Sequence, residues 1–169
     1  NGIKSIVRLN EVKDGHDIRV TSDGYVGVST GNNEVCWYDT FGNLTRRWHA
    51  DGENDAWHLN CLEFVDGDLH ISAFGEFKTH RGWNNQARNA GFILNLTSGE
   101  KVMTGLSGPH NPRFVDGRWV VCESHVHAVA ISEFSGELRR IRFKAFTRGL
   151  AYDDAFFYIG ESANRKDPN

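Results

Sequence analysis

Apolar and polar residues alternate along this chain over short stretches, and each stretch breaks at a turn. "HDIRVTS" (16–22) is followed by "YVGVST" (25–30), "CLEFV" (61–65) by "LHISAF" (69–74), and "PRFV" (112–115) by "WVVCES" (119–124). A period of two sends successive side chains to opposite faces, the signature of half-buried strands. No stretch of helical length keeps the 3.6-residue spacing of an amphipathic helix. The pattern predicts an all-β chain.

The breaks repeat. Asp23-Gly24, Asp66-Gly67, Asp116-Gly117 and Asp153-Asp154 recur at intervals of 43, 50 and 37 residues. Asp-Gly favours the two-residue type I′ hairpin, whose central residues both need positive φ. Each turn joins an inner strand to a second strand. A third strand follows ("EVCWYDT", "GFILNLT", "HAVAISE"), then a Gly-centred turn, then an outer strand ("LTRRWHA", "KVMTGLS", "ELRRIRF"). Four strands at this period predict a β-propeller.

The expected organisation is a single propeller domain or fragment over 1–169, with full blades at about 12–50, 56–107 and 109–145. A partial blade at 147–169 stops after its second strand at Glu161-Ser162, and "IKSIVRLN" (3–10) reads as the outer strand of a preceding blade. An incomplete ring leaves open strand edges, so self-association, or missing blades that complete the ring, is expected.

Composition adds constraints on function. Eighteen glycines and 12% aromatic residues suit short strands and tight turns. A net charge of −3 offers no general attraction to nucleic acid or to an anionic membrane, and no apolar run is long enough to span a bilayer. Cys36, Cys61 and Cys122 are widely spaced and form no Cys-x-x-Cys pair, which argues against a zinc site or a disulfide framework. They fit buried thiols in a reducing, cytoplasmic compartment.

In a propeller the short Asp-Gly and Ser-Gly turns fall on one face. The other face collects the inner-strand starts and the second-to-third connections, and here those segments are rich in polar groups. The expected ligand-binding set is His58, Asn60, Trp83, His110, Asn111, Arg113, Glu123 and Arg148. The long polar segment 76–91, which carries Trp83, is suited to cover a ligand. Arg113 and Arg148 would supply planar donors to a carboxylate or phosphate. Each residue also has a structural reading: His or Asn at a strand start can bond a neighbouring blade, and Arg113 or Arg148 can pair with Glu123 or Glu161. His125 and His127 would lie on one side of a strand, where a hydrogen-bonded pair is the plainer reading than a metal site. No metal site is assigned and no cofactor is identified.

The first copy, "SDGYVGVSTGNNEVCWYDTFGNL", resembles the NHL-type propeller repeat. From Trp57 onward the chain resembles an uncharacterised bacterial β-propeller family. The resemblance rests on His58-Leu-Asn60, Gly82-Trp83, Gly105-Leu-Ser107, Pro109-His110-Asn-Pro112-Arg113, Arg148-Gly149-Leu150 and Gly160-Glu-Ser162. It implies an architecture and no established reaction. The leading functional expectation is a module that binds a polar, anionic small molecule or a sugar on its axial loop face. The alternative is a metal- or His-dependent hydrolase or lyase resembling gluconolactonase-like or streptogramin-lyase-like propellers, with Glu123, His110 and Glu161 supplying acid–base groups. A protein-interaction scaffold is the third. No Ser-His-Asp elbow, phosphate loop or dinucleotide fingerprint is present.

Overall fold

The computed structural model describes residues 6–163. Three antiparallel four-stranded sheets follow one another in chain order. The first holds β1 (Gly15–Thr21), β2 (Gly24–Ser29), β3 (Glu34–Asp39) and β4 (Leu44–His49), and the second β5 (Leu59–Val65), β6 (Asp68–Ala73), β7 (Gly91–Asn95) and β8 (Lys101–Leu106). The third holds β9 (Pro109–Val115), β10 (Arg118–Glu123), β11 (Ala128–Ser132) and β12 (Leu138–Arg142). A two-stranded sheet, β13 (Phe146–Tyr152) with β14 (Phe157–Ser162), begins a fourth blade. This is a β-propeller of four-stranded blades, of which the described residues form three and the first half of a fourth.

The core lies between blades. Val26, Val28 and Val35 of the first sheet meet Leu59, Ile71 and Phe92 of the second. Ile93, Met103 and Leu106 of the second meet Trp119, Val121 and Ala130 of the third, and Val120, Cys122 and Val129 of the third meet Leu150 of the fourth. Middle strands are covered on both faces, so β6 and β10 are buried from their second residue to their last. Outer strands β4 and β12 stay largely exposed. Burial on both sides explains why β10 reads as an apolar run, "WVVC", while β6 keeps its alternation with His70 and Ser72 buried. Cys36, Cys61 and Cys122 are free and buried, and burial pushes the Cys61 and Cys122 thiols up to about 12.

The turn chemistry holds for two of four copies. Asp66-Gly67 and Asp116-Gly117 adopt positive φ at both positions, as a type I′ hairpin requires. In the first copy the loop is instead Ser22-Asp23, and Gly24 pairs with Thr21. A Cβ on Gly24 would lie 2.1 Å from the Tyr38 carbonyl oxygen, so glycine there serves the close approach of β3. The fourth copy turns through residues 153–156, where the Asp153 carboxylate accepts the N–H groups of Ala155 and Phe156. The expected strand at 3–10 is also corrected. Residues 3–5 lie outside the described residues, and 6–10 form no strand. The Asn10 carbonyl instead accepts the Tyr38 hydroxyl at 2.9 Å.

One irregularity recurs in all four inner hairpins and positions the site. Two residues of the inner strand oppose one residue of the second strand at His16-Asp17, Asn60-Cys61, Asn111-Pro112 and Arg148-Gly149. Such bulges re-aim side chains.

Candidate functional site

The bulges link blade to blade. Asp17 accepts the Leu62 N–H at 2.8 Å, and Asn111 accepts the Gly149 N–H at 3.0 Å. A second link comes from the 3-10 turns after β2 and β10. Thr30 donates its hydroxyl to the Leu59 carbonyl and Ser124 to the Thr147 carbonyl, both at 2.6 Å. Leu59 and Thr147 each immediately precede a bulge, so the two bonds are one device used twice. The second sheet lacks this turn. Phe74 follows β6, and the chain runs through residues 74–90 before β7.

That segment folds back on the connection between β4 and β5. The Glu53 N–H donates to the Lys78 carbonyl, the His80 N–H to the Glu53 carboxylate, and the Arg81 N–H to the Asp55 carbonyl. Asp55 is the anchor. Its Oδ1 accepts from His58 Nδ1 at 2.8 Å, its Oδ2 from Arg81 Nε at 3.0 Å, and its carbonyl from Trp83 Nε1 at 3.0 Å. Burial by itself would raise the Asp55 carboxyl; the bonds from His58, Arg81 and Trp83 outweigh it and hold the group below its usual range. Burial holds the His58 imidazole below its ordinary value despite Asp55. Asp55 and His58 both sit at left-handed φ, 52° and 50°. Non-glycine residues take that conformation at a cost, which these bonds offset.

His58 packs between aromatic groups, with Trp83 at 4.2 Å and Phe74 at 4.3 Å between ring centroids. Phe74 also touches His110 at 5.4 Å and His125 at 4.9 Å. His110 is 2% exposed, and burial, reinforced by the Arg148 charge, pushes its imidazole down to about 3. Its Nδ1 contacts Ser124 Oγ at 2.7 Å and the Gly108 carbonyl at 3.0 Å, while its Nε2 is buried with no partner among the described residues. The Asn60 amide nitrogen is in the same condition. Beside this cluster opens a cleft of about 420 Å³ lined by Trp83, Asn84, Asn85, Arg88, His125, His127 and Phe146, with Ala87 at its wall. Among the described residues no group of three or more His, Cys, Asp or Glu side chains is placed to hold a metal ion.

The tertiary structure sorts the residues expected from sequence. His58 and Trp83 meet around Asp55, and His110 joins them through Phe74. Asn60 and Asn111 are the first bulge residues of β5 and β9. Arg148 is the first bulge residue of β13, exposed, with no ion pair among the described residues. His16, His58 and His110 are not equivalent: His16 is in a bulge, His110 precedes one by a residue and His58 by two. Arg113 pairs with Glu63 at 2.8 Å, not with Glu123 or Glu161, and Arg19 bonds the same carboxylate at 3.2 Å. Glu123 does not face the cleft. It is fully buried, held by Arg140 and by the Ser107 N–H at 2.9 Å. Glu161 accepts the N–H groups of Lys144 and Ala145. His125 and His127 lie in and just after a 3-10 turn, not on a strand, yet both line the cleft.

Sequence reasoning missed Asp55, Phe74, Arg88 and Phe146. Asp55 stands three residues before His58, a spacing that allowed the contact but did not require it. Phe74 occupies the place that Thr30 and Ser124 hold in the other sheets, and that alignment was the available signal.

Solved structures share this fold. Virginiamycin B lyase from Staphylococcus aureus superposes with a TM-score of 0.60 at 15% identity, over 90% of this chain and 50% of that one. A streptogramin B lyase gives 0.56 at 14% identity, over 90% and 64%. BamB from Moraxella catarrhalis gives 0.52 at 12% identity, over 90% and 56%. The chain thus spans about half to two thirds of the length of these β-propeller proteins. No curated protein sequence matches it. The match over residues 6–169, almost the whole chain, places this protein in the family described as a domain of unknown function, DUF4915.

Proposed function

We propose that the cleft between the 74–90 segment and His125, His127 and Phe146 binds a small, polar, anionic molecule or sugar. The observation that carries this reading is the lining itself. Trp83 and Phe146 offer flat apolar faces, Asn84 and Asn85 offer amides, and Arg88 is an exposed guanidinium with no ion pair among the described residues. Small-molecule sites combine apolar walls with a few polar groups in this way. Arg148, beside His110, is a second uncommitted cation, whereas Arg113 is already neutralised by Glu63. Titrating sugar acids and sugar phosphates against tryptophan fluorescence tests the reading. A saturable response that Trp83→Leu abolishes and Arg88→Ala weakens supports it; a response unchanged in both variants refutes it.

A second reading, an acid–base enzyme, is favoured by the Asp55–His58 pair. A buried carboxylate that accepts from Nδ1 orients an imidazole and leaves Nε2 basic. Turnover of a bound ligand that His58→Gln abolishes without loss of binding would distinguish it.

The free, buried thiols suit a reducing cytoplasm, and the small negative charge suits neither nucleic acid nor membrane partners. Ile18 is 51% and Val20 78% exposed on β1, where a further blade or a second copy would pack. Light scattering on the isolated chain tests that association.

A further inference from the structure

Five polar side chains that line the cleft are committed to nothing else. Asn84, Asn85, Arg88, His125 and His127 border the cavity of about 420 Å³, and none makes a side-chain hydrogen bond or ion pair among the described residues. All but His127, which is half-buried, are exposed, so a molecule in the cleft reaches them. The carboxylates just outside the lining are already engaged. Asp55 holds His58 and Arg81, Glu123 holds Arg140, and Glu161 accepts the N–H groups of Lys144 and Ala145. Among the described residues no carboxylate lines the cleft.

The two walls differ in kind. The 74–90 segment brings Arg88, a fixed cation with a planar fork of donors. The turn after β10 brings His125 and His127, both 6.3 Å from the Phe146 ring between centroids. An imidazole gains a proton when a negative charge arrives beside it. Burial, reinforced by the neighbouring His58, holds His125 below its ordinary value, so near pH 7.5 that ring by itself is neutral. The other charged or titratable groups packed around the pair are Arg88 across the cleft, His58 and His110, which burial holds neutral, and Arg148, which opposes protonation of His110. None supplies a counter-charge, so it has to come with the ligand. A carboxylate brings one charge in one plane, which the Arg88 fork satisfies alone. A phosphomonoester brings close to two charges above its second pKa of about 6, on three acceptor oxygens that point to different sides. Resting on the cleft reading above, we infer that the ligand is the phosphomonoester of a small polar molecule, its phosphate held between Arg88 and the His125–His127 pair, which takes up a proton from solvent as it binds. Asn84 and Asn85 remain for the hydroxyls of a sugar-sized remainder, which a cavity of this volume accommodates.

Three probes separate the terms by calorimetry near pH 7.5: glucose 6-phosphate, glucose 6-sulfate with the same shape and one charge fewer, and D-gluconate with a carboxylate. Each is titrated in two buffers of different ionisation heat, which counts the protons taken up. Glucose 6-phosphate should bind about ten-fold or more tightly than the other two and should alone draw a proton from the buffer. His125→Gln and His127→Asn should each reduce the uptake and narrow the gap, while Arg88→Ala weakens all three probes. Sulfate or gluconate binding as tightly as phosphate, or an uptake unchanged in both histidine variants, overturns the phosphate assignment and leaves the cleft reading standing. No saturable response to any of the three overturns both. Nitrogen-15 spectra of the wild-type histidines need no variant. Protonation of His125 or His127 when glucose 6-phosphate is added is expected; two rings that stay neutral at saturation sink the proposal.

Discussion

Asn33 and His127 occupy the same place in two blades. Each follows a three-residue 3-10 turn, takes left-handed φ (60° and 53°), and donates its N–H back to the first residue of that turn. Each carbonyl accepts an N–H from beyond the outer strand, Ala50 in one blade and Phe143 in the other. Beyond the backbone they diverge. The Asn33 side chain is fully buried, donates to the Ala50 and Asp51 carbonyls at 3.2 Å, and accepts the Trp57 N–H at 3.1 Å. The His127 side chain stands at the cleft, 6.3 Å from the Phe146 ring. The backbone position is structural in both. The side chain either closes the joint to the next blade or faces the cleft.

The largest effect should come from breaking the closed version. Asn33→Ala leaves three backbone groups without their partner and places a Cβ-bearing residue with no local side-chain support at left-handed φ. A loss of about 3 kcal/mol or more is expected in chemical denaturation. A loss below about 1 kcal/mol would mean that water or a shift of residues 50–57 replaces the amide.

Acid should act more gradually, and through the third blade. His110 falls from an ordinary value near 6.5 to about 3 in the folded protein. The unfolded chain therefore takes up a proton that the folded one refuses. The His110 contribution is complete above about pH 6.5 and is lost as pH falls toward 3, at up to about 1.4 kcal/mol per pH unit. His58 is depressed in the same direction and adds to the slope. Melting temperatures of wild type and His110→Phe between pH 7 and 4 should converge; parallel curves would contradict the buried, neutral ring.

The duplicated hydroxyl link sharpens the comparison further. Thr30→Val and Ser124→Ala each remove one donor to a buried carbonyl and should each cost about 1–2 kcal/mol. Ser124→Ala should cost the more, because its oxygen also accepts from His110 Nδ1; equal costs would show that this second bond adds nothing.

The smallest effect on stability, with the clearest effect on function, is expected for His127→Asn. Asparagine tolerates left-handed φ, so stability should change by no more than about 0.5 kcal/mol. Affinity for a cleft ligand should nevertheless change, measured by the same fluorescence titration. A variant with lost stability and intact binding would reverse the assignment of His127 to the site.

Much of the architecture was legible because it is local. Alternation marks strands, Asp-Gly marks turns, and middle strands buried on both faces read as apolar runs such as "WVVC" (119–122). Even Gly24, whose turn is displaced by one residue, still marks the hairpin. The site was legible only in part. Trp83, His58 and His110 were named from sequence and the fold brings them together around Asp55 and Phe74, while Arg113 and Glu123 went to Glu63 and Arg140, partners that neither residue's neighbours in sequence disclose.

What the sequence by itself determined is the order and period of the blades, since turn geometry and strand alternation depend on residues a few positions apart. The tertiary structure alone decided which polar groups meet. A bulge puts two residues opposite one, and a single residue of slip exchanges the faces of a strand. Three histidines that match by letter therefore stand at different places relative to their bulges, although His16 and His58 still pack at 5.1 Å between ring centroids. Asp55, in a connection that reads as featureless, becomes the anchor of His58 and Trp83 because a segment more than twenty residues later folds back onto it.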